Sequence, residues 1–317
     1  MAAENTTAIV LRTIEFSETS LVVTLLTRDF GQVAALAKGA RRPKSSFEGS
    51  LDLLAVCRVV LIRKASEALD LLTEAKLQRR FRAAEKSLDR LYAGYYIAEM
   101  LRLMTDNHDP HPALYELTTD ALGQIDGSGN HALALLGFDA AALRLLGHAP
   151  STRGCVDCGG SIGDENRIAF APVAGGVICR QCRPRQHSVL SVSRTAIAHL
   201  ERLLAPHTRL PISVPSSVYP ELRGLISRYI HDLERRQFVR CRQPPRVLPD
   251  GLLLVTEEDQ PHRQRGIGVA NIDRLIDCLP DTGRAINDFD AVKRLDRRIL
   301  GCRIPTLAET RAAQRNH

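Results

Sequence analysis

Cys155 and Cys158, followed by Cys179 and Cys182, form two Cys-x-x-Cys pairs in this chain of 317 residues. Each pair places two thiolates on one tight turn, and two such turns supply four soft ligands for a tetrahedral ion. Twenty residues separate the pairs, at the upper end of the spacing found in structural zinc sites. Gly159 and Gly160 follow the first pair and Gly175 and Gly176 precede the second, where the backbone must turn back. The stretch between reads as a short hairpin with strands over Arg167–Ala171 and Val177–Cys179. Four protein ligands leave no coordination position for water or substrate, so the pattern predicts structural Zn2+ rather than catalytic metal. His187, just beyond the last pair, is a candidate substitute ligand.

The second chemistry-bearing run is Lys38-Gly39-Ala40-Arg41-Arg42-Pro43-Lys44, four cations in seven residues. Glycine and proline make it a loop, and such a loop can bend around a phosphate backbone. Guanidinium forks chelate phosphate oxygens, and counterion release supplies affinity without sequence information. Arg12 and Arg28, with Arg63 and Lys64, extend this nucleic-acid track if their strands present them on one face. The competing reading is a solvated loop whose charge only keeps the chain in solution.

Enzymatic signatures are missing. There is no phosphate loop ending in Lys-Ser/Thr, no Gly-x-Ser-x-Gly elbow and no dinucleotide fingerprint. Asp281-Thr282-Gly283 matches the aspartic protease tripeptide but has no second copy to complete the dyad. His108 and His111 flank Pro110 in what reads as a solvated loop. No catalytic residue is expected.

These groups need elements to position them. Net charge is +7, with 43 basic against 36 acidic side chains, which favours a polyanionic partner. Aromatics make up only 4% and tryptophan is absent, which argues against a surface built from many stacking rings. No apolar run approaches the roughly 20 residues of a membrane span, and the N-terminal stretch lacks a signal-peptide pattern. Cys57, Cys241, Cys278 and Cys302 read as small buried hydrophobes in a reducing interior. The expected location is therefore cytoplasmic.

Five runs read as strands: Ala8–Thr13, Leu21–Thr27, Gln32–Lys38, Leu53–Arg63 and Ala68–Glu74, with Arg28-Asp29-Phe30-Gly31 as a hairpin connection. Five short strands in about seventy residues predict a small closed barrel of the oligonucleotide-binding (OB-fold) type over residues 1–79. From Arg79 the period becomes helical. Leu88, Leu91, Tyr92, Tyr95, Tyr96, Met100, Leu103 and Met104 predict an amphipathic helix ending near Asp106. Pro112 opens a second helix through Ile125, and a third runs from Leu133 to Leu146 before Gly147. These form the first part of a helical domain, 80–150, followed by the four-cysteine zinc module, 151–187. Its second part, 188–240, holds a helix capped by Ser193 and another begun by Pro220. Residues 241–317, proline-rich and polar, read as a partly ordered or disordered extension. The fold class is α+β multidomain.

Glu18-x-Ser20, Val22-Val23-Thr24-Leu25-Leu26-Thr27, Gly31 and Ala37-Lys38-Gly39-Ala40-Arg41-Arg42 resemble the N-terminal signature of the RecO family of bacterial recombination mediators. Leu145-Leu146-Gly147-His148-Ala149-Pro150 before Cys155, and Gly175-Gly176-x-x-Cys179-x-x-Cys182, resemble its helical-to-metal junction. The resemblance covers about residues 7 to 235. It implies an N-terminal OB barrel, a helical domain and a zinc module within it. It implies binding of single- and double-stranded DNA, annealing of complementary strands, and loading of recombinase onto DNA coated by single-strand-binding protein. Implied partners are RecR, the acidic C-terminal tail of the single-strand-binding protein and, indirectly, the recombinase, at the nucleoid of a bacterial cell. The match carries DNA contact to Lys38, Arg41 and Arg42, with Lys44, Arg12 and Arg28 as weaker extensions. Phe16 stands where the family usually has tyrosine, and the extension after about Arg240 has no family counterpart. Two other readings compete: a scaffold docking acidic peptide tails, with nucleic-acid contact incidental, and a zinc-dependent factor acting on RNA.

Overall fold

The computed structural model describes residues 3–47, 49–64, 69–206 and 208–240. Five strands, β1 (Ala3–Glu15), β2 (Leu21–Thr27), β3 (Gly31–Ala37), β4 (Val56–Ile62) and β5 (Asp70–Arg79), close into a barrel of order β1-β2-β3-β5-β4. The β3–β5 pairing is parallel and the others antiparallel, with β1 pairing β4 to seal the cylinder. Its core is built from alanine, valine and leucine side chains, among them Ala8, Val10, Val23, Leu25, Val33, Ala35, Ala37, Val59 and Leu61. A narrow barrel has room for little else. Phe47 and Leu51, from the long β3–β4 connection, also pack into it.

The predicted strands all form, and the differences lie at their ends. β1 begins earlier than its apolar pattern, because Ala3 to Thr7 pair with β4 from Ile62 to Arg58. β1 also carries a bulge. Val10 faces Leu25 but Arg12 faces Thr24, so Leu11 is an extra residue. Without it, alternation would aim Arg12 inward with Ala8 and Val10. With it, Arg12 leaves the core. Gly31 ends the β2–β3 hairpin at φ +69°, and a Cβ there would stand 2.1 Å from the Asp109 carbonyl oxygen. That close approach, with the His108 N–H donating to the Gln32 oxygen at 2.9 Å, docks the barrel on the loop after the first helix.

The helical part follows in chain order: α1 (Leu88–Met104), α2 (Pro112–Asp126), α3 (His131–Leu145), α4 (Arg194–Leu203) and α5 (Tyr219–Arg240). Ser87 caps α1, Pro112 opens α2, Asn130 caps α3 and Ser193 caps α4. Tyr96, Met100 and Met104 are core, but Tyr95 and Leu88 are well exposed. They lie off the apolar stripe that the periodicity assigned to them. α3 is buried almost all round, including Asp139, which has no exposure. Between α3 and α4 stands a three-stranded sheet of order β7-β6-β8, from β6 (Arg167–Ala171), β7 (Gly176–Ile178) and β8 (Leu190–Ser193). The hairpin of β6 and β7 was expected and β8 was not. β8 has only four residues, two of them serine, and runs straight into the cap of α4. α5, the helix begun by Pro220, runs to Arg240.

Cys57 is buried in the barrel core as expected. Cys241, Cys278, Cys302, the Asp281 tripeptide and the expected extension 241–317 lie outside the described residues. None of the described helices is long and apolar enough to cross a membrane.

Candidate nucleic-acid interface and metal centre

Strand β3 ends at Ala37, and Lys38, Arg41, Arg42 and Lys44 follow in consecutive turns, all four exposed or half-exposed. Their loop is held from within. The Arg42 N–H donates to the Gly39 oxygen at 3.0 Å, the Ser45 N–H to the Arg42 oxygen at 3.2 Å, and the Ser45 hydroxyl to the Ala40 oxygen at 3.0 Å. Gly39 supplies the left-handed turn this path needs, at φ +71°. Just downstream, Phe47 sinks into the barrel core, so the cations ride on an anchored segment.

A second loop lies against the first. The Arg41 N–H donates to the Thr19 oxygen at 3.0 Å, and the Arg41 guanidinium meets the Glu15 carboxylate at 3.1 Å. Both partners of this ion pair are well exposed, so it orients Arg41 at little energetic gain. The β1–β2 turn and the basic loop therefore share one rim of the barrel, and Phe16 stands on that rim, 64% exposed.

Arg12 and Arg28 are not brought to this rim. Arg28 Nε donates to Glu116 Oε1 on α2 at 2.8 Å. Arg12, turned out of the core by the bulge, sits half-buried beside Arg102 and Glu99 of α1. Burial and then Arg102 lower its pKa, with Glu99 opposing. Arg63 lies over the Phe30 ring at 5.2 Å, beside Glu4. These three cations join the barrel to the helices or line its other end. Sequence alternation could not separate them from the loop, because the bulge and the helical partners are invisible to it.

The four cysteines come together. Their sulfurs all lie within 4.8 Å of one another, with Cys158 Sγ and Cys179 Sγ 3.8 Å apart. Four sulfurs each ~2.3 Å from a tetrahedral ion stand ~3.8 Å apart, so the donor set fits such a metal. A disulfide would need about 2 Å. Each turn is closed by its own backbone: the Gly159 N–H donates to the Cys155 oxygen at 2.8 Å, and the Arg183 N–H to the Cys179 oxygen at 3.0 Å. Val156 N–H reaches the Val177 oxygen at 3.0 Å, which ties the first turn to β7. Cys155 and Cys182 are buried among Ile178, Ala171 and Val189, while Cys158 is exposed. Burial opposes ionisation of Cys155, but N–H groups at Cys179, Cys158 and Asp157 hold its thiol down to about 6. Burial and the neighbouring thiols push Cys182 up. The cluster can hold a metal ion on four protein ligands, and His187 is not among them.

One buried group escaped the sequence. Asp139 on α3 pairs with Arg223 on α5, whose guanidinium lies over the Tyr96 ring of α1 at 5.5 Å. Burial raises the Asp139 pKa, against the pull of Arg223. An aspartate in the apolar middle of a helix was the available signal, but its partner lies 84 residues away.

Residues 1–81 match the family model described as Recombination protein O N terminal, and residues 85–237 the one described as Recombination protein O C terminal. A DNA repair protein RecO from Rhodopirellula baltica is 48% identical over 267 residues, spanning 76% of this chain and 96% of that protein. One from Anaeromyxobacter is 35% identical over 241 residues, with 74% and 93% covered, and one from Symbiobacterium thermophilum 31% over 236, with 73% and 92%.

Proposed function

The chain belongs to the RecO family of DNA repair proteins, and from that premise we propose that it is a non-enzymatic recombination mediator acting on DNA. The closed five-stranded cylinder serves as an oligonucleotide-binding barrel, and Lys38, Arg41, Arg42 and Lys44 grip the sugar–phosphate backbone. The observation that carries this reading is a cluster of four solvent-facing cations on a loop anchored in the barrel core. Neutralised phosphates repel each other less, which gives annealing of complementary strands a physical route without any bond cleavage. Zn2+ on Cys155, Cys158, Cys179 and Cys182 is structural. It braces β6–β8 and takes no part in strand binding. RecR, the acidic tail of the single-strand-binding protein and indirectly the recombinase are the partners that this role would require, in a bacterial cytoplasm at the nucleoid.

Annealing of complementary oligonucleotides tests the reading. Replacing Lys38, Arg41 and Arg42 together by alanine should slow annealing and weaken binding to single strands. It should also reduce the slope of log affinity against log salt by about 2, from three lost phosphate contacts at ~0.7 each. A triple variant with the wild-type slope would remove the basic loop from the DNA path. It would favour the acidic-peptide scaffold, for which a competing acidic peptide is the direct probe.

A further inference from the structure

Among the described residues, Phe16 is the most exposed of the large apolar side chains at 64%, ahead of Val173, Tyr95 and Leu88. Its neighbours Ser17, Glu18, Thr19 and Ser20 are all polar. A lone ring among polar residues is too small for a protein interface, which needs a patch of hundreds of Å². It is the right size for one nucleobase.

The backbone that carries the ring is held in place. Both the Phe16 and the Ser17 N–H groups donate to the Ser20 oxygen, at 3.1 and 3.3 Å, which closes the turn after β1. The Arg41 N–H on Thr19 and the Arg41–Glu15 pair fasten this turn to the basic loop. The turn itself therefore has little backbone freedom left to lose when a flat ligand settles on the ring. Glu15 and Glu18 offset part of the charge, but the two loops together stay cationic through Lys38, Arg41, Arg42 and Lys44. A strand whose phosphates followed those cations would run along the rim that carries Phe16.

We propose that Phe16 is a base-stacking residue that makes this rim select single-stranded over double-stranded DNA. The inference rests on the reading of the barrel as a DNA-binding domain. In a duplex both faces of every base are already stacked, so the ring has nothing to receive. In a single strand, base–aromatic stacking tolerates any sequence, because every base offers a π-face. The cations read phosphates in either form. Charge therefore sets affinity for DNA in general, and the ring sets which form is favoured.

Phe16→Ala and Phe16→Trp test this by fluorescence anisotropy on three probes of equal length: an oligothymidylate, the same backbone lacking bases, and a duplex. Phe16→Ala should bind the oligothymidylate about 5- to 150-fold more weakly, with unchanged affinity for the abasic strand and the duplex. Its salt slope should stay at the wild-type value, because no phosphate contact is lost. Phe16→Trp should bind the single strand at least as well as wild type. Unaltered oligothymidylate binding by Phe16→Ala, or an equal loss on the abasic strand, would overturn the proposal. Wild type that binds none of the probes overturns the DNA reading itself, whereas loss confined to the Lys38, Arg41 and Arg42 variant overturns only the role of the ring. A matched thermal melt for Phe16→Ala, expected for so exposed a side chain, shows that the fold is intact.

Discussion

Single side chains in this molecule do two kinds of work, and burial separates them. Lys38, Arg41, Arg42 and Lys44 stay in solvent, where charge is inexpensive to keep and free to meet a partner. Asp139 and Arg223 are enclosed, and there a charge survives only in company. Tyr96 of α1 is the further polar neighbour of both groups, so the pair joins α3 to α5 beside that one ring. Replacing Asp139 by alanine should therefore cost about 3–5 kcal/mol, because it strands a buried guanidinium. The combined Asp139→Leu and Arg223→Met protein should recover most of that loss. Denaturant titration of the three proteins checks the claim, and an Asp139→Ala protein as stable as wild type would show that the pair contributes nothing. The four cysteines were legible at this scale because their spacing along the chain is itself the chemistry. The Asp139 pair was not, since its halves sit on different helices.

At the scale of elements, short β-branched or leucine-rich runs bounded by turn signals found all five barrel strands, because such side chains fill a narrow barrel core. The same composition is silent at Leu11. A bulge adds one residue without changing the pattern of types, and so it moved Arg12 to the outside unseen. β8 was missed for a related reason: its role is to pair with β6 and to deliver Ser193 to the start of α4, not to bury a long apolar face. Glu221 in the first turn of α5 completes that junction. It accepts the Ser193 N–H at 2.9 Å and the Arg167 guanidinium at 3.1 Å, and also bonds the Ser193 hydroxyl. Burial works against its charge, but the Ser193 groups and Arg167 win and lower its pKa. A carboxylate depressed in the folded state gives stability that is complete above the unfolded value near 4.5 and is lost as pH falls through the lower folded value. Wild type should accordingly lose stability more steeply than Glu221→Gln between about pH 5 and 3. Melting curves across that range measure it, and parallel curves would sink the assignment.

For the molecule as a whole, the question is whether barrel and metal centre stand or fall together. The β6–β8 sheet leans on α5 through Phe170, whose ring meets Tyr229 edge-on at 6.0 Å, and the Tyr229 hydroxyl donates to the His148 oxygen at 3.0 Å. Loosening the metal turns should thus be felt in the helices. The basic loop is fixed by other means, namely its internal hydrogen bonds and the insertion of Phe47 and Leu51 into the barrel core. None of those contacts comes from the cysteine module. With the proposed metal on these four cysteines, Cys155→Ser should lose it, read by a chromogenic chelator, and lower the melting temperature by at least roughly 5 °C, since a lost ligand costs several kcal/mol and each is worth about 2–4 °C in a chain of this size. Acid should release the metal from wild type as well, because protonated thiols do not bind it. Held well below its own melting point, the same variant should bind an oligothymidylate within about twofold of wild type if the basic loop makes the phosphate contacts as proposed, because that loop is untouched. Single-strand affinity that falls in step with the metal content would mean that the brace reaches the barrel, and that the two halves form one functional unit.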